Sequence, residues 1–150
     1  MKIGIGNDHI AYELKIHVKE YLTRKGHEVI DYGADSAERT DYPIYAKKVA
    51  LAVLGGEVEN GVLICGTGIG ISIAANKFAG IRDAVCSDPV SARFTKEHNN
   101  ANIIAFGSRI VGSSTAEMIL DEFLNGSYEG GRHQPRLDMI SAIEQGRFDV

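Results

Sequence analysis

Cys65 stands at the end of a short apolar run, Val62-Leu63-Ile64, and in front of glycines at 66, 68 and 70. The run has the length and branching of a buried strand, and Ile71 to Lys77 reads as a helix. A thiol therefore sits where a strand ends and a glycine-rich turn opens a helix. Glycine lets a backbone come close to a ligand and turn its N–H groups inward. A helix start adds partial positive charge that favours anions, a thiolate among them. The chemistry on offer is an anion-stabilising loop with a potential thiolate base built in. Taken alone, Cys65 is as readily a small buried residue at a strand end.

Spacing excludes several familiar glycine-loop chemistries. A phosphate loop, G-x-x-x-x-G-K-[ST], needs Gly where this chain has Ile71. A dinucleotide fingerprint, G-x-G-x-x-G, fits at Gly66 and Gly68 and fails at Ile71. The same pattern started at Gly4-Ile5-Gly6 fails at His9. A C-x5-R phosphatase loop needs arginine, again at Ile71. No C-x-x-C redox pair exists, because Gly66-Thr67-Gly68 follows Cys65.

Other polar groups gather in three places: Asn7-Asp8-His9, His98-Asn99, and Gly130-Gly131-Arg132-His133-Gln134-Pro135-Arg136. Arg132 and Arg136 are four apart at the start of a predicted helix and so share a side. Their guanidinium forks match phosphate geometry, and a helix start adds N–H donors.

The elements that must position these groups alternate along the chain. Strands are expected at 2–6, 27–32, up to Cys65, 81–86 and 102–106. Helices are expected from Ile10 to about Arg24, from Pro43 to Gly55, from Ile71 to Lys77, and from the Ser87-Asp88-Pro89 cap to about His98. Two more are expected, from a Ser114-Thr115-Ala116-Glu117 capping box to Leu124, and from about His133 to Gln145. Strands alternating with helices of this length imply a parallel sheet covered on both faces. The expected fold is α/β, a Rossmann-like three-layer αβα sandwich with five parallel strands. Ligands in such sheets bind beyond the strand carboxyl ends. Asp8, Cys65, Asp88 and Arg109 all follow strands there.

Length and composition set bounds. The 150 residues suit one domain, 1–150, and 44% hydrophobic residues can supply its core. A net charge of −4 gives no sign of a nucleic-acid surface. Two cysteines argue against a disulfide framework and fit a reducing, cytoplasmic setting. No run approaches membrane-spanning length. The N-terminus reads as a first strand rather than a signal peptide.

Taken together, Asp8-His9, Asp41-Tyr42-Pro43, Cys65 to Ser72, Ala74-Asn76-Lys77, His98-Asn99 and Gly130 to Gln134 resemble the type B ribose-5-phosphate isomerases. That family also holds galactose-6-phosphate isomerase subunits and allose-6-phosphate isomerases. The resemblance runs from Lys2 to about Gln145. It implies an aldose–ketose isomerase that interconverts ribose 5-phosphate and ribulose 5-phosphate through an enediolate. By match, Cys65 resembles the general base. Thr67 and the loop backbone, with Gly66, Gly68 and Gly70, resemble the hole for the enediolate, and His98 the group that opens the sugar ring. Asp8, Tyr42 and Asn99 resemble sugar contacts. His9, Arg109, Arg132 and Arg136 resemble a phosphate clamp.

The resemblance also implies a homodimer with shared sites, or a tetramer of such dimers. It puts the His98 segment and the tail on different chains, and the helical tail, about 125–150, against the partner subunit. Aldose–ketose isomerisation needs one base, donors for an oxyanion and an acid–base for ring opening. It needs no redox cofactor and no metal, and no metal-ligand spacing is seen. Members often carry Cys at the position of Asn7, which bears on sugar preference. Two other readings stand beside this one: an isomerase of allose or galactose 6-phosphate, and a non-catalytic phosphate- or nucleotide-binding module. The module would need neither Cys65 nor His98, and the Glu38-to-Pro43 pattern with the tail favours the pentose.

Overall fold

The computed structural model describes residues 1–150. Five strands form one sheet: β1 (Lys2–Asn7), β2 (Glu28–Asp31), β3 (Asn60–Cys65), β4 (Asp83–Val85) and β5 (Ile103–Gly107). Their order is β2-β1-β3-β5-β4, and every pairing is parallel. Six α-helices accompany them: α1 (Tyr12–Arg24), α2 (Tyr42–Leu54), α3 (Ile69–Ala75), α4 (Pro89–Asn99), α5 (Ser113–Asn125) and α6 (Gln134–Glu144). The expected αβα sandwich is the observed fold.

Alternation along β3 shows how the two cores arise, because successive strand residues face opposite sides. Val62 and Ile64 point into one core with Val18, Leu22, Ile119, Leu120 and Phe123 of α1 and α5. Leu63 and Cys65 point into the other, with Ala46, Val49 and Ala50 of α2 and Ile71 and Ala75 of α3. Fully burying each Val, Leu, Ile or Phe among them is worth about 1.5–3 kcal/mol. The strand order reverses between β1 and β3, which opens a crevice at their carboxyl ends.

Several local expectations shift. Asp8 does not start a long helix directly. Its Oδ1 accepts from the Ile10 and Ala11 N–H groups and caps a 3₁₀ turn, His9–Ala11, that leads into α1. The Ser114 capping box does not form. The helix starts at Ser113 with no side-chain cap, and Glu117 instead reaches His17 of α1 at 2.8 Å. A tertiary partner outcompetes the local one there. Strand four is also shorter than expected, because Ile81 and Arg82 run into it as irregular chain.

A buried cation holds the segment after β2 in place. The Lys15 ammonium donates to Asp31 Oδ2 at 2.9 Å and to the Ala34 carbonyl at 2.7 Å. Burial pushes the Asp31 carboxyl up, but hydrogen bonds from Lys15, Gly33 and Lys19 outweigh it and hold it below its ordinary value. The Ala34 N–H in turn reaches the Asn7 carbonyl, next to Asp8.

Asp83 lacks any such partner. Neither of its carboxylate oxygens makes a hydrogen bond, and burial, tempered by nearby Ser72, pushes it from 3.8 up to about 7. Its folded value lies above its unfolded one, so its contribution to stability is present below about pH 4 and is lost as pH rises through about 7. Asp83→Asn removes that loss. Thermal unfolding at about pH 8 should show the variant more stable than the parent, with the gap closing by about pH 4. A gap independent of pH would mean that Asp83 is not the titrating group.

Candidate active site

The register Cys65↔Gly107 sets the Cys65 thiol beside the last residue of β5. From there the chain turns flat across the end of that strand. Gly68 has φ +79, and a Cβ on it would lie 2.7 Å from the Phe106 carbonyl carbon. A Cβ on Gly107 would lie 2.5 Å from the Thr67 Cα. Glycine is needed on both sides of this contact. Further bonds pin the seat: Ser108 N–H to the Cys65 carbonyl at 2.9 Å and Arg109 N–H to the Gly66 carbonyl at 3.0 Å.

The seated loop leaves several of its N–H donors free. Gly68 N–H points to Cys65 Sγ at 3.2 Å. Thr67 Oγ1, on an exposed side chain, accepts from Ile69 N–H at 3.2 Å. The N–H groups of Gly66, Thr67, Gly70 and Ile71 find no acceptor within the chain. Cys65 is itself 4% exposed. The arrangement can hold an anion and keep a thiol next to it.

Other expected residues join the loop. Asp8 N–H donates to the Ile64 carbonyl at 3.3 Å, one residue before Cys65. Tyr42, at the start of α2, lays its phenol across Gly70, where a Cβ would meet its Cζ at 2.7 Å. The Arg109 side chain runs beside Gly66. His9 Nδ1 lies 3.0 Å from the Thr40 carbonyl and 3.2 Å from its N–H, and it can bond one of them at a time. Either way Nε2 is the ring nitrogen left for a ligand. Asn7 turns away from the loop: it is fully buried, its Nδ2 donates to the Asp8 carbonyl at 2.7 Å, and its Oδ1 abuts Gly33.

His98 and Asn99 are not in this group. They end α4, which starts beyond the carboxyl edge of β4 and runs back to the amino edge before β5. Lys96 donates to Asn60 Oδ1, at the opposite end of β3 from Cys65, at 2.7 Å. Six strand residues span roughly 20 Å, so one chain holds His98 and Cys65 at opposite edges of its sheet. Arg132 and Arg136 lie with His98. The Glu129 N–H reaches the Glu97 carbonyl, and the His133 ring stacks on His98 at 4.2 Å. Arg136 Nη1 donates to the Arg132 carbonyl at 2.9 Å. Arg132 belongs to a 3₁₀ turn, Gly131–His133, rather than to the helix proper. The expected division of the His98 segment and the tail between chains is therefore corrected: within one chain they form a single unit. Thr67 and Ile69 are exposed, so the loop forms a shelf at the surface of the chain.

Local sequence does not mark Gly107 as a functional position, and it gives His133 no role beyond membership of the tail motif. The Phe106-Gly107-Ser108 step was visible as glycine at a strand end, but its contact with Thr67 is 40 residues away in sequence. Cys86 is core, 3% exposed, and burial pushes its thiol up to about 12.

A family model described as Ribose/Galactose Isomerase matches residues 3–140. The chain belongs to the ribose/galactose isomerase family. It is 60% identical to ribose-5-phosphate isomerase B of Escherichia coli (strain K12), over 97% of this chain and 98% of that one. It is 50% identical to galactose-6-phosphate isomerase subunit LacB of Clostridium acetobutylicum, over 99% of this chain and 88% of that one. A solved structure of Clostridium thermocellum ribose-5-phosphate isomerase B superposes with a TM-score of 0.96 at 50% identity, over 99% of this chain and 100% of that one. The chain is an isomerase with the fold of that group. No helix is long and apolar enough to cross a membrane.

The two-sided contact between loop and β5 makes a direct test. Gly107→Ala must move the Thr67 backbone, and a displacement of about 1 Å in such a site costs on the order of 10²-fold in rate. Isomerase kcat should fall by that order while circular dichroism shows the fold retained. Unchanged kcat would show that loop seating does not govern the chemistry.

Proposed function

We propose that this isomerase interconverts ribose 5-phosphate and ribulose 5-phosphate through an enediolate, with Cys65 as the general base. The observation that carries the reading is the Cys65 thiol under the Gly68 N–H, beside four unpaired N–H groups, in a chain 60% identical to a ribose-5-phosphate isomerase B. A base that moves a proton between C2 and C1 must sit against donors that hold the charge developing on the sugar oxygens. Thr67 and the loop N–H groups supply those donors. Asp8 and Tyr42 border the same shelf and contact sugar hydroxyls, with Asn99 brought in by the second chain. His9 and Arg109 take part of the phosphate, and Arg132 and Arg136 take the rest. The unreacting phosphate anchors the substrate and orients C1 and C2.

His98 opens the sugar ring from a second chain. The shelf around Cys65 lies at the surface of the chain, and the groups expected to complete it stand at the far edge of the same sheet. A two-fold dimer brings the His98–tail unit of one subunit over the Cys65 shelf of the other, and each dimer then holds two equivalent sites. The tail helix α6 adds the exposed Met139, Ile140 and Ile143 for contact with that partner. Two unpaired cysteines suit a cytoplasmic enzyme.

Purified enzyme in chelator, given ribose 5-phosphate, allose 6-phosphate and galactose 6-phosphate, tests the substrate. Turnover of a hexose phosphate with none of the pentose would overturn it. In the same assay Cys65→Ser should keep substrate binding and lose about 10²–10⁴-fold or more in kcat. Solvent deuterium should enter C1 or C2 with the parent enzyme and no longer do so with the variant. Near-normal turnover by Cys65→Ser would place the base elsewhere.

Mixed dimers test the shared site. Cys65→Ala and His98→Ala proteins, each nearly inactive, are refolded together in equal amounts. Random pairing makes about half of the dimers mixed, and each mixed dimer holds one site with both lesions and one with none. About a quarter of the parental sites should return. Mixed dimers confirmed by mass, with no activity recovered, would refute the shared site.

A further inference from the structure

His98 ends a helix, and neither of its ring nitrogens has a hydrogen-bond partner in the chain. Its ring is gripped through its faces instead. Phe94, one turn earlier on α4, stacks on it with centroids 4.8 Å apart and planes at 24°. His133 stacks on it at 4.2 Å and 16°. His133 is itself anchored. It is 8% exposed, its Nε2 lies 3.3 Å from Glu129 Oε2, and its N–H donates to the Gly130 carbonyl at 3.0 Å. The Glu129 N–H then ties the turn back to α4 through the Glu97 carbonyl at 2.9 Å.

We propose that His133 is a positioning residue for His98, whose ring it clamps against Phe94 so that both imidazole nitrogens stay free to move protons during sugar ring opening. The inference rests on the reading of His98 as the ring-opening group. A group that must take a proton from one sugar oxygen and return it to another needs its nitrogens unencumbered. A hydrogen bond from the protein would hold the ring but occupy one of them. Stacking restricts the rotamer and leaves both nitrogens without a hydrogen-bond partner in the chain. It also explains why the turn that carries Arg132 continues into a buried histidine rather than into a solvent-facing one.

The same side chains could be taken for a metal site, since ligand atoms of His98, Glu129 and His133 lie within 4.8 Å of one another. The ring geometry opposes that. Imidazole lone pairs lie in the ring plane, and in rings only 16° from parallel they run side by side instead of converging on one ion.

The test separates ring opening from the later proton transfer. Ribose 5-phosphate must be opened first. Ribulose 5-phosphate is already acyclic, because the oxygen that would close its ring carries the phosphate. Its C1 hydrogen can therefore exchange with solvent deuterium without any ring step. His133→Leu keeps volume and loses the π face; His133→Phe keeps the π face and loses the bond to Glu129. Both fill the buried space, and thermal unfolding checks that each folds.

His133→Leu should lower kcat from ribose 5-phosphate by about tenfold or more, part of the ~10²–10⁴ that a positioned acid–base group contributes. KM should stay within about threefold, and deuterium entry at C1 of ribulose 5-phosphate within about twofold. His133→Phe should recover most of the lost kcat. Equal loss of conversion and exchange, or a rise in KM alone, would make His133 a support of the tail or phosphate clamp and overturn the inference. So would a His133→Phe enzyme no better than His133→Leu. His98→Ala is the reference. If it loses exchange as fully as conversion, the ring-opening reading falls and the positioning role falls with it. If it loses conversion alone while His133→Leu loses neither, only the positioning role falls.

Discussion

In an all-parallel sheet every crossover must return the chain from the carboxyl edge to the amino edge before the next strand can start. That constraint governs this molecule. Helix α4 makes the return between β4 and β5, so its last residues, His98 and Asn99, arrive at the edge opposite Cys65. The tail is tied to the same end by the His133 stack and the Glu129–Glu97 bond. One chain thus carries a base-bearing shelf at one edge and a ring-and-arginine unit at the other. The fold by itself keeps them apart, and the proposed dimer is the simplest symmetric arrangement that joins them twice over.

The shelf is built from backbone more than from side chains. Its donors are N–H groups released because the chain lies flat on the end of β5. That lie depends on the missing Cβ atoms of Gly68 and Gly107. Side chains then border it from three other elements: Asp8 and His9 after β1, Tyr42 at the start of α2 and Arg109 after β5. Asp8 shows how economical the arrangement is. One carboxylate oxygen caps the turn into α1, and the other stays uncommitted at the rim. The His9 ring is likewise fixed through one nitrogen by Thr40, whose hydroxyl bonds to Tyr45 of α2 at 2.8 Å. Opposite layers of the sandwich therefore converge on the same few residues.

Much of this was legible in the order of residues. Alternating apolar runs and helical spacings define a parallel α/β sheet, because strand and helix periodicities differ and only covered sheets bury continuous runs such as Val62-Leu63-Ile64. Cys65 with its three glycines marks an anion loop by local chemistry alone. The Ser114 capping box failed because a local signal says nothing about His17, which lies 100 residues away and draws Glu117 across. Gly107 carries no local mark for the same reason: its importance lies in a backbone contact with Thr67 that exists only once β3 and β5 are in register.

Local sequence therefore determined the sheet, the glycine loop, the thiol and the arginine pair, since each follows from short-range periodicity, spacing or residue type. Tertiary structure alone decided which of these stand together. It seated the loop on β5, turned Asn7 into the core against Gly33, and joined His98 to His133 across 35 residues of chain. It also set that pair a full strand length from Cys65. The physical reason is that strand register and helix direction fix distances between residues remote in sequence, and no local pattern of side chains encodes those distances.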